Sequence, residues 1–177
     1  MTDAPILALD IGTNLGFSFH KGGRLEWAGL LQLPSDRALR FRTFRNFVRL
    51  GLADQSQISG SVKIGQITEH LAPRMICHEA LFVPPQRGSK RSNIPALLTL
   101  FGMVAILEGE TARENCIIKS VQVASIRAAI AGKKSATKEE TSRALILRGD
   151  VKASDVEGQA LDLTDAIALG CYSAAVF

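Results

Sequence analysis

The sequence predicts an α/β fold: a mixed five-stranded sheet with helices on both faces. Three observations carry this. Three strand-like segments open the chain in succession, and two more then alternate with helix-like stretches. The 177 residues are 46% hydrophobic and 21% charged, which suits a single domain spanning 1–177 with a sizeable core.

The elements follow in order. After Pro5, the apolar run Ile6 to Ile11 reads as a buried strand, and Gly12-Thr13-Asn14 as a turn. Gly16 to His20 and Arg24 to Leu33 read as an antiparallel pair joined at Lys21-Gly22-Gly23. Pro34-Ser35-Asp36 starts a helix whose apolar face is Leu39, Phe41, Phe44, Phe47, Val48 and Leu52. A polar break near Gln55 to Ser61 precedes a short helix expected over Val62 to Leu71. Arg74 to Glu79 is the fourth strand, and Leu81 to Asn93 an exposed basic loop. A long apolar helix is expected over Pro95 to Arg113, then a fifth strand over Cys116 to Val121. Helices over Val123 to Ala131, from the Thr137-x-x-Glu140 capping box to before Gly149, and over Asp162 to Ala175 complete the chain.

Composition excludes a disordered tail, a collagen-like repeat and a coiled coil. The most apolar stretch, Ile94 to Leu107, contains Pro95, Thr99 and Gly102 and falls short of the roughly 20 residues of a membrane span. The N-terminus carries Asp3 and no basic residue, unlike a signal peptide, so a cytoplasmic setting is expected. Three cysteines, Cys77, Cys116 and Cys171, with no Cys-x-x-Cys, argue against a disulfide framework or structural zinc site. The net charge of +4 and pI near 9.2 lean toward an anionic partner such as nucleic acid.

Four carboxylates stand out. Asp10 and Glu79 each end an apolar strand, at the edge where ligands of parallel strands bind. Asp162 and Asp165, three residues apart, project from one face of an apolar helix. Taken singly, each acid also reads as a turn or capping residue, or as part of a solvated helix face. Converging, the four would repel one another unless cations entered, and oxygen donors suit hard ions such as magnesium or manganese. Two such ions are the usual means of in-line phosphoryl displacement.

Four segments also resemble the motifs of one family. Leu7-Ala8-Leu9-Asp10-Ile11-Gly12-Thr13-Asn14-Leu15-Gly16 resembles the first motif of RuvC-like Holliday junction resolvases, in the ribonuclease H-like superfamily. His78-Glu79-Ala80-Leu81-Phe82 is similar to the second motif, and Ser135-Ala136-Thr137-Lys138 to the segment carrying a catalytic lysine. Asp162 to Leu169 resembles the closing motif, in which two acids precede an apolar helix. The order and spacing match over nearly the whole chain. The resemblance implies a ribonuclease H-like fold and a magnesium- or manganese-dependent crossover junction endonuclease, active as a homodimer on four-way DNA junctions. It assigns two metal ions to Asp10, Glu79, Asp162 and Asp165, and sets Lys138 near the scissile phosphate. It also implies DNA contacts from Phe82 and Arg127, a dimer interface on the Pro95 to Arg113 helix, and a role in recombination and repair in a bacterial or phage-infected cell or an organelle. Ile11 replaces a proline common in relatives, the stretch from Arg37 to Ala72 is long, and the Pro84 to Ser92 loop is unusually basic. These departures point to a divergent, phage-type member.

Arg87, Lys90 and Arg91 follow Glu79 in one basic loop, and Lys133 and Lys134 flank a turn before Lys138. Such charges suit phosphate contacts, which dominate nuclease affinity, although solvation alone also explains basic loops. Arg37 to Arg49 reads as a solvated helix face. His78, beside Glu79 on a strand, is expected to point to the opposite face. Three rival readings remain: a broader nuclease acting on branched DNA or RNA-containing duplexes, an actin-like or sugar-kinase-type nucleotide-binding domain, and a silent DNA-binding module. The length and the missing second Gly-rich loop count against the second, and the four retained acids against the third.

Overall fold

The structure, a computed structural model, describes residues 4–53, 61–65, 72–81, 94–156, 158 and 160–177. The strands are β1 (Ile6–Asp10), β2 (Asn14–Lys21), β3 (Arg24–Gln32), β4 (Ser61–Ile64), β5 (Met75–Glu79) and β6 (Ile117–Val121). They form one sheet in the order β4-β3-β2-β1-β5-β6. The pairs β1–β2, β2–β3 and β3–β4 are antiparallel, whereas β1–β5 and β5–β6 are parallel. The mixed α/β sheet is therefore as the sequence predicts. The tight turn at Gly22-Gly23 has positive φ at both glycines, 56° and 76°, which a two-residue hairpin of matching twist requires.

One element is corrected. Ser61–Ile64 is a sixth, edge strand where the sequence suggested the start of a helix. Alternating β-branched Val62 and Ile64 fit a strand that pairs with Ala28 to Leu30. Gly65 follows at φ 73°, and a Cβ there would meet the Glu26 carbonyl oxygen, so only glycine turns the chain at this point. The remainder of the expected helix, residues 66–71, lies outside the described residues.

The helices are α1 (Arg37–Ala53), α2 (Ile94–Thr111), α3 (Val123–Ala131), α4 (Lys138–Arg148), the short α5 (Ala153–Val156) and α6 (Leu161–Val176). Alternation along the strands sorts the core into two layers. Leu7, Leu9, Leu15, Phe17, Phe19 and Ile76 pack on one face with Phe44, Phe47 and Val48 of α1 and Met103 and Leu107 of α2. Ile6, Ala8, Met75 and Cys77 pack on the other with Ile126 of α3, Leu145 of α4, and Leu163 and Ile167 of α6. Helices thus cover both faces.

Local chemistry fixes the helix ends. The Leu39 N–H donates to Asp36 Oδ1 at 2.8 Å, capping α1. At α4 the expected capping box is present: Glu140 N–H donates to Thr137 Oγ1, and Thr137 N–H to Glu140 Oε2. Gly132 and Gly149 end α3 and α4 in the left-handed region. Arg45 and Arg49 are exposed, as expected of a solvated face, and they also share one acid. Arg45 Nε and Arg49 Nε of α1 donate to the two carboxylate oxygens of Glu110 of α2, at 2.5 and 2.7 Å. The Arg49 hydrogen bond lowers the Glu110 pKa against burial, with help from Arg45. Helix α2 extends beyond the predicted apolar stretch to 18 residues, long and apolar enough by that measure alone to cross a membrane. In the fold its Thr99, Met103, Leu107 and Glu110 are buried.

Candidate active site

The face-sorting that builds the core also aims the acids. Asp10 follows Ile6 and Ala8 at intervals of two, and Glu79 follows Met75 and Cys77. Both therefore point to the face covered by α6. Leu9 pairs with His78 in the parallel β1–β5 register, so the two acids end adjacent strands side by side. His78 points to the other face, as expected, with Nδ1 2.8 Å from the Glu79 carbonyl oxygen.

From above, the N-terminal end of α6 delivers Asp162 from its first turn and Asp165 from the start of its second. Carboxylate oxygens of Asp10, Asp162 and Asp165 lie within 4.8 Å of one another. Glu79 stands beside this trio rather than in it, close enough that its charge raises the Asp10 pKa. Burial, with the charges of Glu79, Asp165 and Asp162, pushes the Asp10 carboxyl up to about 8, although Lys138 opposes the rise. Burial likewise raises Glu79 and Asp165, while Lys138 and Arg127 pull them down. Lys138, the first residue of α4, answers this negative cluster. Its Nζ lies 2.5 Å from Asp165 Oδ2 and 3.3 Å from Asp162 Oδ1. Burial opposes its charge, but the Asp165 hydrogen bond and the surrounding acids win and raise its pKa.

This donor set fits a hard divalent cation. It is all oxygen, partly desolvated, and strained by like charges that a dication would relieve.

The structure thus brings together Asp10, Glu79, Lys138, Asp162 and Asp165. Arg127 is half-buried on α3, near enough for its charge to act on Glu79 and Asp165. Lys133 is exposed and ion-paired with Glu140 at 2.6 Å, and Lys134 is exposed on the same turn. Phe82, Arg87, Lys90 and Arg91 lie outside the described residues.

Sequence reasoning missed Gly16. It pairs with Asp10 across β1 and β2, and a Cβ on it would stand 2.1 Å from the Asp162 carbonyl oxygen. This glycine lets the start of α6 lie directly on the sheet beside Asp10. A glycine inside a strand was the available signal, since it marks close backbone approach. Gly16→Ala is expected to lower stability by about 1–3 kcal/mol, as overpacking does, and to weaken binding of Mn2+. Thermal denaturation and Mn2+ titration check this; unchanged values for both would show that α6 shifts without consequence.

No protein-family model matches the sequence, and no curated protein matches it. Among solved structures, Thermus thermophilus RuvC is similar with a TM-score of 0.66 at 16% identity, covering 95% of this chain and 92% of that one. The same protein in complex with a Holliday junction substrate gives 0.67 at 13% identity, covering 96% and 91%. The yeast mitochondrial Holliday junction resolvase Ydc2 gives 0.63 at 12% identity, covering 97% and 78%. These likenesses, over most of each chain, show that this protein has the RuvC-like variant of the ribonuclease H-like fold.

Proposed function

We propose that the chain is a metal-dependent endonuclease that resolves four-way DNA junctions by paired, symmetric phosphodiester hydrolysis. The observation that carries this reading is the convergence of Asp10, Asp162 and Asp165 within 4.8 Å, at the carboxyl edge of two parallel strands. A fold shared with junction resolvases supports the substrate class.

Asp10, Glu79, Asp162 and Asp165 would hold two magnesium or manganese ions. Such a pair supplies Lewis-acid activation of water and stabilisation of the leaving oxygen. The residues around them do the rest. Lys138 offsets charge gathered on the phosphate, and Arg127, Lys133 and Lys134 offer positive charge to the DNA backbone. Phe82, Arg87, Lys90 and Arg91 are proposed to contact the junction.

The deciding experiment is incubation with magnesium and labelled four-way junctions, forks, DNA–RNA hybrids and linear duplexes. Preferential, paired nicking of the junction supports the proposal. Equal cutting of forks or hybrids would replace it with a broader structure-selective nuclease. No cutting of any substrate would overturn it.

A homodimer belongs to the same proposal, because two equivalent strands of a junction call for two sites about one axis. Helix α2 offers the surface: Ile94, Leu98 and Phe101 are 54%, 51% and 47% exposed, a large apolar stripe for one copy to show to water. Phe101→Glu is expected to convert a dimer into a monomer in sedimentation and to uncouple the two nicks. A Phe101→Glu monomer that still makes coordinated nicks would refute the dimer mechanism.

A further inference from the structure

We propose that Ser18 and His20 are positioning residues that set the register of α6 on β2, and so hold Asp162 and Asp165 against Asp10. This rests on the metal-site reading above and extends it to residues that touch no proposed ligand.

The contact between α6 and β2 is closely interlocked. Gly16, Ser18 and His20 alternate along the strand, and Asp162, Ala166 and Gly170 recur at four-residue intervals along the helix. A Cβ on Gly16 would meet the Asp162 carbonyl oxygen, and one on Gly170 would meet His20 Nε2 at 2.0 Å and Ser18 Oγ at 2.8 Å. Between them, Ser18 Oγ donates to the Ala166 carbonyl oxygen at 2.7 Å. Four helical residues rise about 6 Å and two strand residues about 6.5 Å, so the two repeats stay in step over this length.

On the strand side, the second and third rungs are polar within a largely apolar sheet face. Ile6, Ala8, Ala28, Met75 and Cys77 line the same sheet face, yet Ser18 and His20 are buried among them at 0% and 1% exposure. His20 Nε2 lies 3.1 Å from Ser18 Oγ. The Ser18 hydroxyl gives its single proton to Ala166, so the imidazole must donate from Nε2 to Ser18. The result is a directed relay from His20 through Ser18 to a carbonyl one residue from Asp165. Apolar packing tolerates sliding between a helix and a sheet, whereas a directed hydrogen bond between buried groups does not. A slip of α6 by one residue would carry both carboxylates about 1.5 Å along the helix axis. Displacements of about that size are enough to disable a reaction centre.

The test compares Ser18→Ala, His20→Leu and His20→Gln with Val48→Ala, an apolar truncation buried on the opposite face. Melting temperature, calorimetric binding of Mn2+ alone, and junction kcat and KM are measured for each. Ser18→Ala and His20→Leu are expected to weaken Mn2+ binding and lower kcat by up to about 10–100-fold, the range reached when direct partners of metal ligands are lost, with KM nearly unchanged. His20→Gln, whose amide N–H can replace the Nε2 donor, should restore both. Val48→Ala should lower the melting temperature while leaving Mn2+ binding alone. Ser18→Ala and His20→Leu proteins that lose melting temperature but bind Mn2+ like the parent would overturn the proposal, reducing both residues to core packing. A parent that binds Mn2+ but cuts no junction would overturn the nuclease reading while leaving this comparison decisive. A parent that binds no Mn2+ would overturn both.

Discussion

Asp10→Asn is expected to abolish cleavage, to below about one-thousandth of the parent rate, while making the metal-free protein more stable. The stability gain follows from the crowding of acids. Asp10 is held up to about 8 by burial and by the charges of Glu79, Asp165 and Asp162. The folded state therefore clings to a proton that the unfolded chain releases near the ordinary value of 3.8. As pH rises from there through about 8, the folded parent loses stability relative to the unfolded chain. An amide at this position carries no such penalty. In chelator, the melting temperature of Asp10→Asn should exceed that of the parent, by a margin that widens up to about pH 8 and then levels off. A variant that melts with the parent at every pH would show that Asp10 is not under this electrostatic load. Full cleavage by it would remove Asp10 from the metal site altogether.

Lys138→Ala should slow cleavage by about 10²–10³, the cost of losing one preorganised electrostatic donor. Two features separate this from a folding defect. Alanine suits the first turn of α4, and the Thr137–Glu140 cap does not involve the ammonium. Moreover, Lys138 now competes for Asp162 and Asp165 at 3.3 and 2.5 Å, so its removal should strengthen Mn2+ binding even as the rate falls. Single-turnover kinetics beside Mn2+ titration would reveal that opposed pair of changes. Unchanged turnover with collapsed junction binding would make Lys138 a phosphate anchor instead.

The acid cluster was readable in the sequence because its residues interrupt apolar patterns. Asp10 and Glu79 end runs of strand residues, and Asp162 and Asp165 share a face of a largely apolar helix. Strand parity then determines where the first two point. What the sequence concealed depends on backbone proximity. Gly16 inside a strand signals a close approach, but neither it nor Gly170 reveals its neighbour until the helix is laid on the strand. Ser18 and His20 alternate with Phe17 and Phe19 in a pattern that equally describes a half-solvated strand, although both are buried. The short β4 was misjudged for a related reason: four residues are too few for periodicity to decide, and pairing with β3 settled the matter. Arg45 and Arg49 do lie on a solvent-exposed face, but their pairing with Glu110 was hidden because that acid lies more than sixty residues downstream.

That shared carboxylate constrains how such a sequence can drift. Were Glu110 replaced first, two half-exposed guanidiniums would be left side by side without their shared acid between α1 and α2. Were either arginine lost first, the acid would keep only half of what offsets its desolvation. An all-apolar version of the three positions could pack well, yet every single step toward it passes through a poorer protein. Lineages are therefore expected to hold all three residues or to have exchanged all three, with mixed sets rare. The contact between these helices behaves as one inherited character rather than three.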